Sequence, residues 1–234
     1  QFNATKQRLG NKFGTQKFIV YFQSVTNTYA PFSTLKALYE KALSFENVIG
    51  LSIGTRTDCV TDEILDYLVE LSKDKEIWIE FGIQSFFDET LIDINRGDTA
   101  SNMRYWINRS KEKGLNVCGH LIYGLPKETQ EMMLETFRQT VELKVDSIKF
   151  HPLYVVKNTL LTNEFRKGRF TPISEELYID TVVKSIKNLP ENISVQRITA
   201  GIDDSSLLSP DWCRDKHTQM KNIRLALEKE GFNY

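Results

Sequence analysis

The feature that most limits what this chain can fold into is a repeated change of period. Short runs of nearly continuous apolarity alternate with stretches whose apolar residues recur every three or four positions. The runs are KFIVYF (17–22), VIGLSI (48–53), EIWIEFGI (76–83), LNVCGHLIY (115–123) and DSIKFHPL (146–153), rich in the β-branched and aromatic residues that suit strands. Continuous apolarity means burial on both faces, as in a parallel sheet. Helical patterns fill the gaps: 33–43, opened by Ser33; 61–73, opened by Thr61; 99–113, between Thr99 and Gly114; and 128–143, after Pro126. Each strand-helix-strand unit has the length of a right-handed crossover. The class expected is α/β, either a full or partial barrel or a doubly wound sheet. In both, chemistry gathers at the C-terminal ends of the strands.

The first dozen residues read as a helix with no strand before it, which suggests that the first strand of the array is left out of this chain. Residues 1–156 are expected to form the core and 157–234 a C-terminal extension packed on it. That extension carries the segment LTNEFRKGRF, a helix at 174–188 opened by Ser174, a strand at 193–199, the loop GIDDSSLLSPDW and a closing helix near 216–230. Thirty basic residues against thirty-one acidic ones create no global field that would draw in nucleic acid. No apolar run approaches the roughly 20 residues that cross a bilayer, and the N-terminus lacks the character of a signal peptide, so a cytoplasmic protein without a membrane partner is expected. Cys59, Cys118 and Cys213 are odd in number and far apart, unlike a disulfide framework or a zinc clasp.

Polar groups accumulate where the strands end. After the first run, FQSVTNTYAP offers Gln23, Ser24, Thr26, Asn27, Thr28 and Tyr29, more than a turn needs, although side-chain turn chemistry accounts for some of them. The second run ends in GTRTDC, where Arg56 and Asp58 suit either a local ion pair or a ligand. In the third, Glu80, Gly82 and Gln84 share one strand face, and a buried carboxylate and amide must find partners. In NRGDT, Arg96 is either a helix C-cap cation or a clamp for a carboxylate. The fourth places His120, Ile122 and Gly124 on one side, and the fifth adds His151 and Pro152. Five polar strand ends in succession point to a pocket for a ligand with amide, hydroxyl and charged groups.

The order GTRTD, EFGIQSFFDETLIDINRGDT and HLIYGLPKET resembles radical S-adenosylmethionine (SAM) enzymes, particularly the Elp3-like branch. The likeness is strongest to a small bacterial group described as predicted Fe-S oxidoreductases, and YFQSVTNTYAP, GLSIGTRTDC and RITAG share in it. It implies a partial (β/α)6 TIM-like barrel lacking its first strand, with a small C-terminal α+β extension. Tyr21, Phe22 and Gln23 then match the motif that binds the amino group of SAM. Gly54, Arg56 and Gln84 match positions lining its ribose and methionyl groups, and Arg96 matches an arginine that meets its carboxylate. His120 falls near the ribose. Ile122, Tyr123 and Gly124 frame the adenine by their backbone, and Phe150, His151 and Pro152, within FHPLY (150–154), form the other adenine contact.

The resemblance also implies a [4Fe-4S] cluster, reductive cleavage of SAM to a 5′-deoxyadenosyl radical acting on an unknown substrate, and an electron donor such as flavodoxin or ferredoxin. Two departures stand out. Relatives often carry Glu-Thr-Arg-Pro-Asp where this chain has Gly54-Thr55-Arg56-Thr57-Asp58. The Cys-x3-Cys-x2-Cys loop is missing, and the three cysteines, separated by 59 and 95 residues, lack cluster spacing. The expectation is therefore a fragment whose full-length form carries the cluster and which is inactive alone. Other readings are a cluster-free α/β binding or scaffolding module, RNA-linked by the Elp3 likeness, and a porphyrinogen-oxidase-like radical SAM enzyme, suggested by HLIYGLP. In RITAGIDDSSLLSPDW, Arg197, Asp203, Asp204 and Trp212 form either a lid over the substrate or a plain surface loop.

Overall fold

The computed structural model of the protein describes residues 2–232. In chain order it contains α1 (Phe2–Phe13), β1 (Phe18–Phe22), α2 (Phe32–Leu43), β2 (Val48–Thr55), α3 (Asp62–Ser72), β3 (Glu76–Gln84), α4 (Asp88–Asp93), α5 (Ala100–Glu112), β4 (Asn116–Tyr123), α6 (Gln130–Glu142) and β5 (Ser147–Pro152). There follow β6 (Val155–Val156), α7 (Leu160–Arg166), α8 (Glu175–Lys187), β7 (Ser194–Arg197), β8 (Leu207–Ser209) and α9 (Lys216–Lys229). Five apolar runs became five strands, and a sixth, β7, joins them in a curled parallel half-barrel sheet of order β1-β2-β3-β4-β5-β7. β6 and β8 form a separate antiparallel pair. No helix among the described residues is long and apolar enough to cross a membrane.

The residues condense into two compact units, Gln1–Gly82 with Tyr105–Val117, and Ile83–Arg104 with Cys118–Tyr234. In the first, β1 and β2 pair in parallel, and Leu51↔Ile77 and Ile53↔Ile79 carry the pairing from β2 to β3. These side chains are fully buried, as continuous apolarity requires. α2 buries Leu35, Tyr39 and Ala42, but its N-cap is Pro31, which makes no side-chain cap. Ser33 therefore lies inside the first turn rather than opening the helix, because the proline already presets the entry. α3 behaves as expected: the Thr61 hydroxyl accepts from the Ile64 N–H, and Ile64, Leu65 and Leu68 turn inward.

In the second unit, β4 and β5 pair through Leu121↔Phe150 and β5 meets β7 through Ile148↔Val195. Behind the sheet, Phe150 lies 5.4 Å from Tyr123 and 6.1 Å from Phe137, with Tyr178 6.2 Å from Tyr123. The buried Tyr123 and Ser185 hydroxyls meet at 2.8 Å. α4 ends in a Schellman motif, with Asn95 at φ 52°, its N–H donating to Ile92, and the Arg96 N–H donating to Leu91 at 2.8 Å. Two features of this unit lie outside the sequence expectation: α7, and the short β6–β8 pair, whose strands are too brief to show a period.

Candidate functional site

In the first unit, the predicted residues Phe22 and Gly54 are tied together by a residue between β1 and α2. The Asn27 side-chain amide donates to the Phe22 carbonyl at 3.0 Å and to the Gly54 carbonyl at 2.8 Å. Thr28 is consumed as well, bonding the Thr55 hydroxyl and donating to the Cys59 carbonyl. Two of the six polar side chains of this loop therefore clasp strand ends, while Gln23 stays exposed. The Tyr21 hydroxyl donates to Glu80 at 2.9 Å, and Ser52 donates to the other oxygen of the same carboxylate. Two strands, β1 and β2, thus supply partners to the buried Glu80 of β3. Arg56 and Asp58 form a two-pronged ion pair, with bonds of 2.7 and 2.6 Å.

The second unit brings five of the predicted residues to one place. Gln84, His120, Ile122, His151 and Pro152 line a cavity of about 250 Å³, together with Leu153, Tyr154 and Ala200. His120 and His151 stack with ring centroids 5.4 Å apart and 30° between planes. Both project from the same sheet face, since Ile122 is opposite His151 in the register. The last three lining residues were not singled out individually from the sequence, although FHPLY and RITAG contain all of them. Burial raises the Tyr154 phenol, with the Cys213 thiol adding to the rise and Arg197 drawing it back.

Gln84 is held in an unusual conformation. Its φ is 68°, and the Ser85 N–H donates across it to the Ile83 carbonyl at 2.9 Å. A three-residue turn with positive φ at its centre is rare and strained for a side chain larger than glycine. Strain of this kind, about 1–3 kcal/mol, collects at ligand sites. The turn brings the amide to the cavity wall, beyond the reach of strand periodicity.

Other predicted residues fall elsewhere. Tyr123 and Phe150 send their side chains into the helix-covered core and leave only backbone at the strand ends. Arg96 lies at the end of α4 and is not among the residues lining this cavity. Gly124 has φ 89°, and a Cβ there would stand 2.7 Å from two atoms of Ile173, so packing already demands the glycine. Gly124 and Ile122 also line a larger cavity of about 1080 Å³, which shares Ile122 and Leu153 with the first. Its lining is largely apolar, including Leu125, Met133 and Phe170, and four of the five charged residues on it are paired, Glu128 being the exception. Lys127 pairs with Asp93 at 2.6 Å, and Arg169 pairs with Glu164 through two bonds of 2.6 Å. Burial pushes the Glu128 carboxyl up, partly offset by hydrogen bonds from Ser85 and Thr90.

Residues 4–140 match the Radical SAM superfamily, and residues 145–229 match the Radical_SAM C-terminal domain. The chain belongs to the radical SAM superfamily. Among its relatives, YtqA of Bacillus subtilis is 34% identical over 231 residues, covering 99% of this chain and 72% of its own length. Protein YhcC of Escherichia coli is 38% identical over 218 residues, covering 92% and 70%. Elongator complex protein 3 of Saccharomyces cerevisiae is 24% identical over 223 residues, covering 89% of this chain and 40% of its own. In fold, the chain matches Methanocaldococcus infernus Elp3 at a TM-score of 0.83 and 20% identity, spanning 98% of this chain and 58% of that one. The family, the relatives and the fold together place this radical SAM chain in the Elp3-like branch.

The cavity suits the adenosyl part of SAM. It offers an amide and two imidazoles for the edge of a flat heterocycle, and Ile122, Pro152 and Leu153 for its faces. The cysteines of this chain do not suit the cluster. Cys118 and Cys213 are buried, and burial with the nearby Glu175 carboxylate pushes the Cys213 thiol up to about 12, whereas a cluster ligand is a thiolate. RITAGIDDSSLLSPDW is anchored rather than free. A Cβ on Gly201 would stand 1.8 Å from the Cys213 carbonyl oxygen, the Trp212 indole donates to Ile173 at 3.2 Å, and Asp204 accepts from the Ser206 N–H at 2.7 Å.

Proposed function

We propose that this protein is a radical SAM enzyme of the Elp3-like branch whose second unit holds the adenosyl part of SAM. Gln84, His120, Ile122, His151 and Pro152 would bind it, with the backbone of Tyr123, Gly124 and Phe150 behind them. With a [4Fe-4S] cluster held by residues outside this chain and an electron donor of the flavodoxin or ferredoxin kind, SAM supplies a radical that takes hydrogen from a substrate. The work of this chain is to bind and orient. The turn sets where the Gln84 side chain leaves the backbone, so its amide starts at the cavity wall, and Ile122, Pro152 and Leu153 keep water from the bound group.

The observation that supports this reading is the convergence of Gln84, His120 and His151, from three separate strand ends, on one cavity. Two measurements test it. SAM binding to the chain, followed by calorimetry, should weaken about tenfold in Gln84→Ala and in His120→Ala, the effect of one lost hydrogen bond of about 1.4 kcal/mol. Anaerobic reconstitution of the full-length protein with iron, sulfide and SAM should yield 5′-deoxyadenosine. A protein with its cluster intact that makes none would overturn the reading.

A further inference from the structure

Arg197 lies at the end of β7, in the RITAG segment, and the cofactor site described above does not use it. It stands in one register row with two other basic side chains, His120↔Lys149 between β4 and β5 and Lys149↔Arg197 between β5 and β7. It is half-buried, and among the described residues it donates no hydrogen bond and forms no ion pair. The Tyr154 phenol, a wall of the 250 Å³ cavity, lies within its electrostatic reach. No carboxylate lies on β5 or β7. Of the three acids in the following loop, Asp204 accepts from the Ser206 N–H, Asp211 pairs with Arg214, and Asp203 is exposed and forms no ion pair with Arg197. A half-buried guanidinium without a counter-charge loses hydration and gains nothing in return. Its planar fork of donors matches an oxyanion, two bonds at a time.

We propose that Arg197 binds an oxyanion, a carboxylate or phosphate group of the substrate, beside the cavity wall formed by His151, Tyr154 and Ala200. The word substrate rests on the radical SAM reading above; anion binding at Arg197 does not. The size of that cavity suits the adenosyl group alone, so the anion belongs to the second molecule of the reaction.

The test uses the chain labelled with ¹⁵N, titrated with inorganic phosphate and, separately, with acetate. The Arg197 Nε–H resonance, identified by its loss in Arg197→Lys, should shift and saturate with at least one of them. Arg197→Gln should weaken that binding about tenfold, Arg197→Lys should retain part of it, and Arg224→Gln, at an exposed position of α9, should leave it unchanged. Saturation by phosphate alone assigns a phosphate-bearing substrate, and by acetate alone a carboxylate. No shift with either probe, or equal affinity in Arg197→Gln and the parent chain, overturns the proposal. So does a loss of SAM affinity in Arg197→Gln that matches the loss of anion affinity, because Arg197 would then serve the cofactor. If SAM fails to bind the chain while phosphate or acetate still binds at Arg197, the cofactor reading falls and this one stands.

Discussion

Gln84 concentrates the tension between folding and binding in one residue. At φ 68° its backbone carries a cost that glycine would not pay. Gln84→Gly should therefore raise stability by about 1 kcal/mol in urea denaturation while lowering SAM affinity in calorimetry. A variant that lost both would mean the turn is held by the side chain itself. Gly124 shows the opposite case, a residue whose strangeness serves packing. Gly124→Ala should cost about 2 kcal/mol of stability, part from its φ of 89° and part from the 2.7 Å approach to Ile173. Adding Ile173→Ala should relieve the clash and leave the conformational part, so the two substitutions should be non-additive in the same assay. His120 and His151 were legible in the sequence because strand periodicity put them on polar strand faces. The Gln84 turn was not, since no pattern of residue types announces a positive φ at glutamine.

At the scale of elements, most boundaries followed local chemistry. The hydroxyl of Ser174 accepts from the Leu177 N–H at the start of α8, as Thr61 does for α3, and Ser174→Ala should cost about 1 kcal/mol in thermal or urea unfolding. Ser33 failed as a cap because a proline upstream had already set the first turn, a competition between two start signals that sequence spacing alone does not rank. The turn between β4 and α6 carries a pH-dependent contribution. Burial raises the Glu128 carboxyl above its ordinary 4.5, so the folded chain holds this proton more tightly than the unfolded one. The stabilisation tied to that proton is complete below pH 4.5 and fades as pH rises through the folded value. Glu128→Gln should flatten this part of the stability profile and be the more stable form at neutral pH, as measured by urea unfolding at a series of pH values.

For the molecule as a whole, the decisive quantity is where the strand ends meet. The near-balance of charge predicts weak, salt-sensitive retention of RNA, so a filter-binding assay at physiological salt should show no more than non-specific affinity. By itself the sequence determined the α/β class, the parallel character of the sheet and the order of polar strand ends, because burial and period are local properties of a segment. It also carried the motifs that place the chain among radical SAM proteins. Only the tertiary structure decided which of those polar groups share a cavity. Asn27, Thr28, Glu80 and Asp58 found partners within their own unit, and Tyr123 and Phe150 turned to the core. Gln84, His120 and His151 came together, and Arg197 was left facing the same sheet row without a counter-charge. The physical reason is that pairing register and turn geometry, which set the neighbour of each side chain, are long-range choices that no single segment encodes.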